Sequence, residues 1–227
     1  MKKIFILAMA AAAMVSCGTA TKYTITGTSE EFEDGKWAFV GEKGRTDSVQ
    51  IVGNSFTLKG EVETPYAAYV TIGEPNTRPE IVVRMFVEPG KIEIKKLNPE
   101  HRSFSAVGTT MNDKQSDFNN KVWELQKNDG SDEEYIALHK SFIEENIDNV
   151  LGLNAFKGSY YYFKPQDVIA LIDAMPAAAQ EELAKTKESA EQALKVLPGN
   201  PYIDVVEKDA NGKEISLKSV VENKKNK

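Results

Sequence analysis

Cysteine occurs once in this chain of 227 residues, at position 17, and histidine twice, at positions 101 and 139. A single thiol excludes an internal disulfide, a Cys-x-x-Cys redox pair and a thiolate-rich metal centre. The histidines fall in different segments, with no His-x-x-x-His or His-Glu pairing of zinc-site form. His139 adjoins Leu138 and reads as the flank of an apolar helix face, and His101 follows Pro99-Glu100 in a solvated loop. Nucleophile elbows and Walker or Rossmann glycine loops are also missing. No metal or cofactor is therefore expected. Basic residues are outnumbered, 28 against 34 acidic, with a pI near 5.2. That balance argues against a nucleic-acid partner and against electrostatic docking on anionic lipid. Apolar residues make up 41% and charged residues 27%, values of an ordinary folded protein.

Long hydrophobic runs are equally scarce. The run Ile4 to Met14 follows Lys2 and Lys3 and is too short to cross a bilayer, which takes roughly 20 residues. A charged n-region, a short apolar h-region and small residues after it form a secretory signal, expected over 1–16. Met14-Val15-Ser16-Cys17-Gly18 then resembles a bacterial lipobox. The resemblance implies acylation of Cys17, which becomes the new N-terminus. A plain signal peptide with an incidental cysteine is the alternative. One acyl chain holds a protein only marginally; the lipoproteins that this N-terminus resembles carry several. A polar tether is expected over 17–22. The residues after Cys17 contain no acidic run, which favours a periplasm-facing anchor, in the inner or outer membrane. The expected partner is thus the membrane itself, through the acyl group at Cys17.

From Tyr23 to Val107 the apolar residues alternate and turn residues punctuate them. Tyr23 and Ile25, Trp37 and Phe39, Val49 and Ile51, Phe56 and Leu58, Tyr66 to Ile72, Ile81 to Val87, and Ile92 and Ile94 mark short strands, with Phe104 and Ala106 as a last one. Gly53-Asn54 between two such runs predicts a hairpin. Six to eight strands at this spacing predict an antiparallel β-sandwich or barrel-like sheet over 23–107.

After Gly108 the period lengthens. Phe118, Val122 and Leu125 lie one helical turn apart, and Tyr135, Leu138, Phe142, Ile143, Ile147 and Val150 mark one apolar face. Ser131 to Glu134 reads as a capping box. Pro165 and Pro176 suit the first turns of two further helices, the second running from Ala177 to about Val196. A helical spacer is expected over 108–197. Tyr202 to Val206 and Glu214 to Leu217 read as a closing hairpin within 198–227, and the charged tail after Glu222 as frayed. The fold class is α+β.

Two stretches bear a family resemblance. Phe86-Val87-Glu88-Pro89-Gly90-Lys91-Ile92-Glu93-Ile94 and Val107-Gly108-Thr109-Thr110-Met111-Asn112-Asp113 are similar to a β-rich domain of unknown function that opens many Gram-negative envelope lipoproteins. In those proteins a helical spacer and a thioredoxin-like domain of the alkyl-hydroperoxide-reductase and thiol-antioxidant type follow. Gly199 to Asp204 and Asp209 to Leu217 resemble that domain's lead-in. The resemblance implies a Trp-Cys-x-x-Cys strand next, where this sequence stops at Lys227. No residue of that redox site has a counterpart here.

The expected product is a non-catalytic, membrane-anchored envelope lipoprotein that acts by positioning or binding. One alternative is a truncated form of a periplasmic thiol:disulfide oxidoreductase. Another is a glycan- or peptide-binding lipoprotein, which would use Tyr160-Tyr161-Tyr162-Phe163, the densest aromatic cluster. Four consecutive aromatics on a helix point to four sides, so at least two of them are expected in the core. The acidic group Glu30, Glu31, Glu33 and Asp34 lacks the order of a calcium loop and reads as a solvated charge run.

Overall fold

The structure is a computed structural model, and it describes residues 21–42, 45–97, 103–197 and 204–225. The chain divides into two compact units, Met1–Asn112 and Asp113–Lys227.

The described residues of the first unit form eight strands in two four-stranded sheets. One sheet has the order β4 (Ser55–Glu61), β1 (Lys22–Thr28), β7 (Gly90–Lys95), β8 (Ser105–Val107). The other has the order β3 (Arg45–Gln50), β2 (Trp37–Glu42), β5 (Tyr66–Gly73), β6 (Ile81–Val87). One core unites them, with Ile25, Phe56 and Ile92 from the first sheet and Val40, Val70 and Met85 from the second. The sandwich expected from the alternation is present, as two open sheets. Among the described strands of this unit all pairings are antiparallel except one: β1 runs parallel to β7, with Ile25 opposite Ile92. An apolar period of two sets the faces but says nothing of strand direction.

Two local features differ from or sharpen the sequence reading. In β2 the small residues Ala38 and Val40 face the core, and Trp37 and Phe39 stack half-buried on the outer face, ring centroids 6.4 Å apart. Gly53-Asn54 forms the expected two-residue turn, closed by the Val52–Ser55 bridge, with positive φ at both residues, 61° and 55°. Gly and Asn accept that conformation most readily. But β3 and β4 on either side of it belong to different sheets, so the turn carries the chain from one sheet to the other and the expected hairpin of paired strands does not form.

The second unit is helical: most of α1 (Thr110–Lys127), then α2 (Asp132–Glu144), α3 (Val150–Ser159), α4 (Pro165–Ala174), α5 (Ala177–Glu182) and α6 (Ala184–Lys195). Its core gathers Ile143, Phe156, Leu171, Ile172 and Met175. The Ser131 capping box forms as expected, with Glu134 N–H donating to Ser131 Oγ and Ser131 N–H to Glu134 Oε2. Asn149 caps α3, accepting from Leu151 N–H at 2.9 Å. Gly152 lets α3 close on the end of α2: a Cβ there would meet the Asn146 carbonyl oxygen at 2.0 Å. The helix expected from Ala177 to Val196 is two helices, broken at Leu183, whose buried side chain turns into the core. Pro176 stands at the N-cap of α5 rather than inside its first turn.

The C-terminal segment forms β9 (Val206–Lys208) and β10 (Glu214–Ser216), paired antiparallel, then α7 (Leu217–Lys225). The expected hairpin is there, with its strands shifted and shortened; Tyr202 and Ile203 lie outside the described residues. The tail read as frayed is helical as far as Lys225, and Asp204 accepts from the Lys218 N–H at the start of that helix.

Candidate functional site

Three exposed tyrosines form the most distinctive surface of the helical unit. After α3, residues Tyr160–Tyr162 make one 3₁₀ turn. Three residues per turn spread the three phenols around the axis. Phe163 then turns extended, φ −89° and ψ 152°, and buries itself, while Pro165 starts α4. Pro165 also biases Lys164 away from helix, which fixes where the turn ends. The tyrosines remain outside at 38%, 64% and 41% exposure. The expectation of at least two buried aromatics fails here: one anchor, Phe163, holds the turn down, and the tight 3₁₀ geometry leaves no helix side to bury a second.

The tyrosines continue into an aromatic file. Tyr161 and Tyr162 lie 4.3 Å apart between centroids, tilted by 48°. Tyr162 meets Tyr135 edge-on at 5.3 Å and 81°. Tyr135 lies 4.1 Å from His139, one turn further along α2. His139 in turn meets Phe118 edge-on at 4.9 Å, and Phe118 stacks on Phe142 at 4.1 Å. The capping box fixes where α2 begins, and so places Tyr135 one turn in, with His139 four residues on and on the same face.

The file grades from wet to dry. Tyr161 Oη donates to Tyr162 Oη at 3.4 Å, which raises the Tyr161 phenol above its ordinary 10.0. His139 is 8% exposed, and its Nδ1 lies 2.9 Å from the Tyr135 carbonyl oxygen. Burial lowers its pKa below 6.5, outweighing that hydrogen bond. A neutral imidazole inside aromatic contacts is a packing element, as the sequence reading held. Such a surface can stack on apolar or planar groups and offer phenolic hydroxyls.

The motif stretches that carry the family resemblance meet in space. Glu88 Oε1 accepts from the backbone N–H of Met111 at 2.7 Å and of Asn112 at 3.2 Å, at the start of α1. The Asn112 side chain bonds both backbone groups of Phe86 and the Thr109 hydroxyl. These bonds tie the end of β6 to the start of α1.

Residues 23–115 match a family model described as a domain of unknown function (DUF4369). The match spans the β unit and the beginning of α1, under half of the chain, and includes both motif stretches. No curated protein and no solved structure matches the chain.

The remaining candidates resolve simply. Cys17 and His101 lie outside the described residues. Glu31 pairs with Lys96, Glu33 with Lys36 at 2.8 Å, and Asp34 accepts from Asn54 N–H at 2.7 Å, so the acidic loop is tied to its neighbours. Among the described residues no group of His, Cys, Asp and Glu is arranged to hold a metal ion, and no helix is long and apolar enough to cross a membrane. Sequence reasoning placed Tyr135 on the apolar face and missed its part in the file. The Tyr135–His139 spacing of four was the available signal.

Proposed function

We propose that this chain is a non-catalytic binding protein of the cell envelope, anchored through an acylated Cys17, and that the tyrosine file docks an extended peptide. The observation that carries the reading is the exposure of Tyr160, Tyr161 and Tyr162 together, beside half-buried Tyr135. Three neighbouring exposed phenols are costly surface for a protein that uses them for nothing, since tyrosine belongs to binding surfaces far more than to solvated ones. Their mutual tilts, 48° to 81°, make slots between rings rather than one flat shelf. Slots suit the ridged profile of a proline-rich or other extended chain, while a coplanar shelf suits a sugar ring. The lone thiol and the lipobox resemblance support the anchor and the lack of thiol chemistry.

The test is a peptide array, proline-rich sequences included, run beside an oligosaccharide array with the full chain and with Tyr161→Ala and Tyr162→Ala. Peptide binding that both variants weaken, with unchanged circular dichroism, supports the reading. Sugar binding lost in the same variants would replace peptide by glycan. Binding that neither variant weakens would remove the file from the function.

A further inference from the structure

We infer that the β unit carries a second site, independent of the tyrosine file: a pocket for a small organic cation at the mouth of the sandwich. A cavity of about 660 Å³ opens there, and Tyr23, Asp47, Glu61, Glu63 and Tyr66 contribute to its lining. That volume lies within the range of small-molecule sites, roughly 300–1,000 Å³.

The cavity is built by backbone register. Tyr23 stands opposite Gly60 in the β1–β4 pairing. Gly60 has no side chain, and the phenol lies across it: a Cβ at Gly60 would meet Tyr23 Oη at 2.5 Å. Tyr23 is 6% exposed, and its hydroxyl has no hydrogen-bond partner among the described residues. Its hydroxyl is open to the cavity, where a ligand can reach it.

Asp47 approaches from the other sheet. It stands opposite Val40, which is 3% exposed and faces the core, so Asp47 occupies an inward position of the edge strand β3. Glu61 and Glu63 continue the negative rim. Lys22 faces Glu61 across the β1–β4 pair, so Asp47 and Glu63 carry most of the potential. Among the described side chains Asp47 and Glu63 enter no ion pair. Burial, then the neighbouring Tyr66 phenol and Asp47 carboxylate, raise the Tyr23 phenol above 10.0, so it stays a neutral hydroxyl at physiological pH.

The chemistry selects the ligand class. The carboxylates are not gathered tightly enough to hold a bare metal ion. They sit around a roomy cavity with aromatic walls. An ammonium group on a small organic frame fits: carboxylates neutralise it, aromatic faces attract it, and a primary or secondary ammonium can also donate an N–H to a phenolic oxygen, which a quaternary one cannot. An inward-pointing charge on an edge strand also discourages sheet-to-sheet association, so that simpler role must be separated by experiment.

Calorimetric titration of the full chain with spermidine and with choline, at low salt, reads the site. At least one of them binds with a Kd of about 1 mM or tighter. Asp47→Asn, at an exposed position, weakens that binding about tenfold, as does Glu63→Gln to a smaller degree, with the melting temperature held. Gly60→Ala, which displaces the Tyr23 ring, abolishes it. The proposal is overturned if neither amine binds, if calcium chloride binds and displaces the amine, or if Asp47→Asn leaves affinity unchanged and causes only self-association.

Discussion

The side chain of Asn112 grips Phe86 by both backbone groups: Oδ1 accepts the Phe86 N–H at 2.9 Å and Nδ2 donates to its carbonyl at 2.8 Å. Phe86 belongs to β6, which ends its sheet, so these groups point away from β5 with no further strand among the described residues to pair them. The amide of Asn112 replaces that strand for one residue. Both residues are nearly inaccessible to water, which makes the bonds costly to lose.

Asn112→Ala leaves two buried backbone groups unpaired, a loss on the order of 2–4 kcal/mol. For a unit of this size the melting temperature falls by roughly 10 °C or more. Asn112→Asp does at least as much damage, because it removes the donor to the Phe86 carbonyl and sets a second carboxylate beside Glu88, whose Oε1 lies 3.5 Å from Asn112 Nδ2. Thermal unfolding at neutral pH measures both. An alanine variant that melts with the parent would show that water replaces the amide without loss.

His139 makes the helical unit sensitive to acid. Its folded pKa is lowered, chiefly by burial, below the ordinary 6.5. Above 6.5 the folded and unfolded states are both neutral, and its contribution is fully present. As pH falls below 6.5 the unfolded chain takes up a proton that folded His139 refuses, so stability is lost until the folded pKa is reached. His139→Phe preserves the ring contacts with Phe118 and Tyr135 and removes the titration. Its melting temperature should therefore decline less between about pH 7 and pH 5 than that of the parent. Parallel curves would mean that His139 titrates as it does in the unfolded chain.

Much of this architecture was legible because it rests on period. Alternation from Tyr23 to Ala106 gave the strands, and the four-residue spacing from Phe118 gave the helices. Ser131 with Glu134 and Gly53 with Asn54 gave their caps and turns by local chemistry alone. What alternation could not supply was direction or partner, so the parallel β1–β7 pair was not foreseen. The tyrosine turn was misjudged for a related reason. A helical reading of Tyr160 to Phe163 spreads them over four sides, whereas the chain tightens into a 3₁₀ turn and then extends ahead of Pro165. The roles of Glu88 and Asn112 are long-range, joining residues more than twenty positions apart, and a lone sequence contains no sign of such pairing.

Anchoring is tested at Cys17. Cys17→Ala should move the protein from the membrane fraction to the soluble fraction, and the parent's N-terminal peptide should carry acyl mass. A variant that still sediments with membranes, together with a parent peptide that lacks that mass, would remove the lipid anchor from the proposal.

The C-terminal hairpin is held by its own few bonds. All three β9 residues are exposed, and so are Val205, Ile215, Leu217 and Val220, with little apolar area buried. Two-stranded hairpins of this kind are marginal in water. What orders the segment is Asp204: its carboxylate accepts from Ser216 Oγ and from Lys218 N–H, each at 2.9 Å, and so caps α7. The Lys218 N–H, then the Ser216 hydroxyl, lower the Asp204 pKa below 3.8. The cap therefore persists at neutral pH and weakens only as acid protonates that carboxylate. Asp204→Ala should reduce helical circular dichroism by about the content of α7 and speed amide exchange through Val206 to Ser216, with the main melting transition unmoved. Deleting 200–227 should shift that transition by roughly 2–4 °C, because so little apolar surface goes with it. A much larger drop, or slow exchange through β9 in the parent, would make the hairpin an integral part of the helical unit rather than an appendage to it.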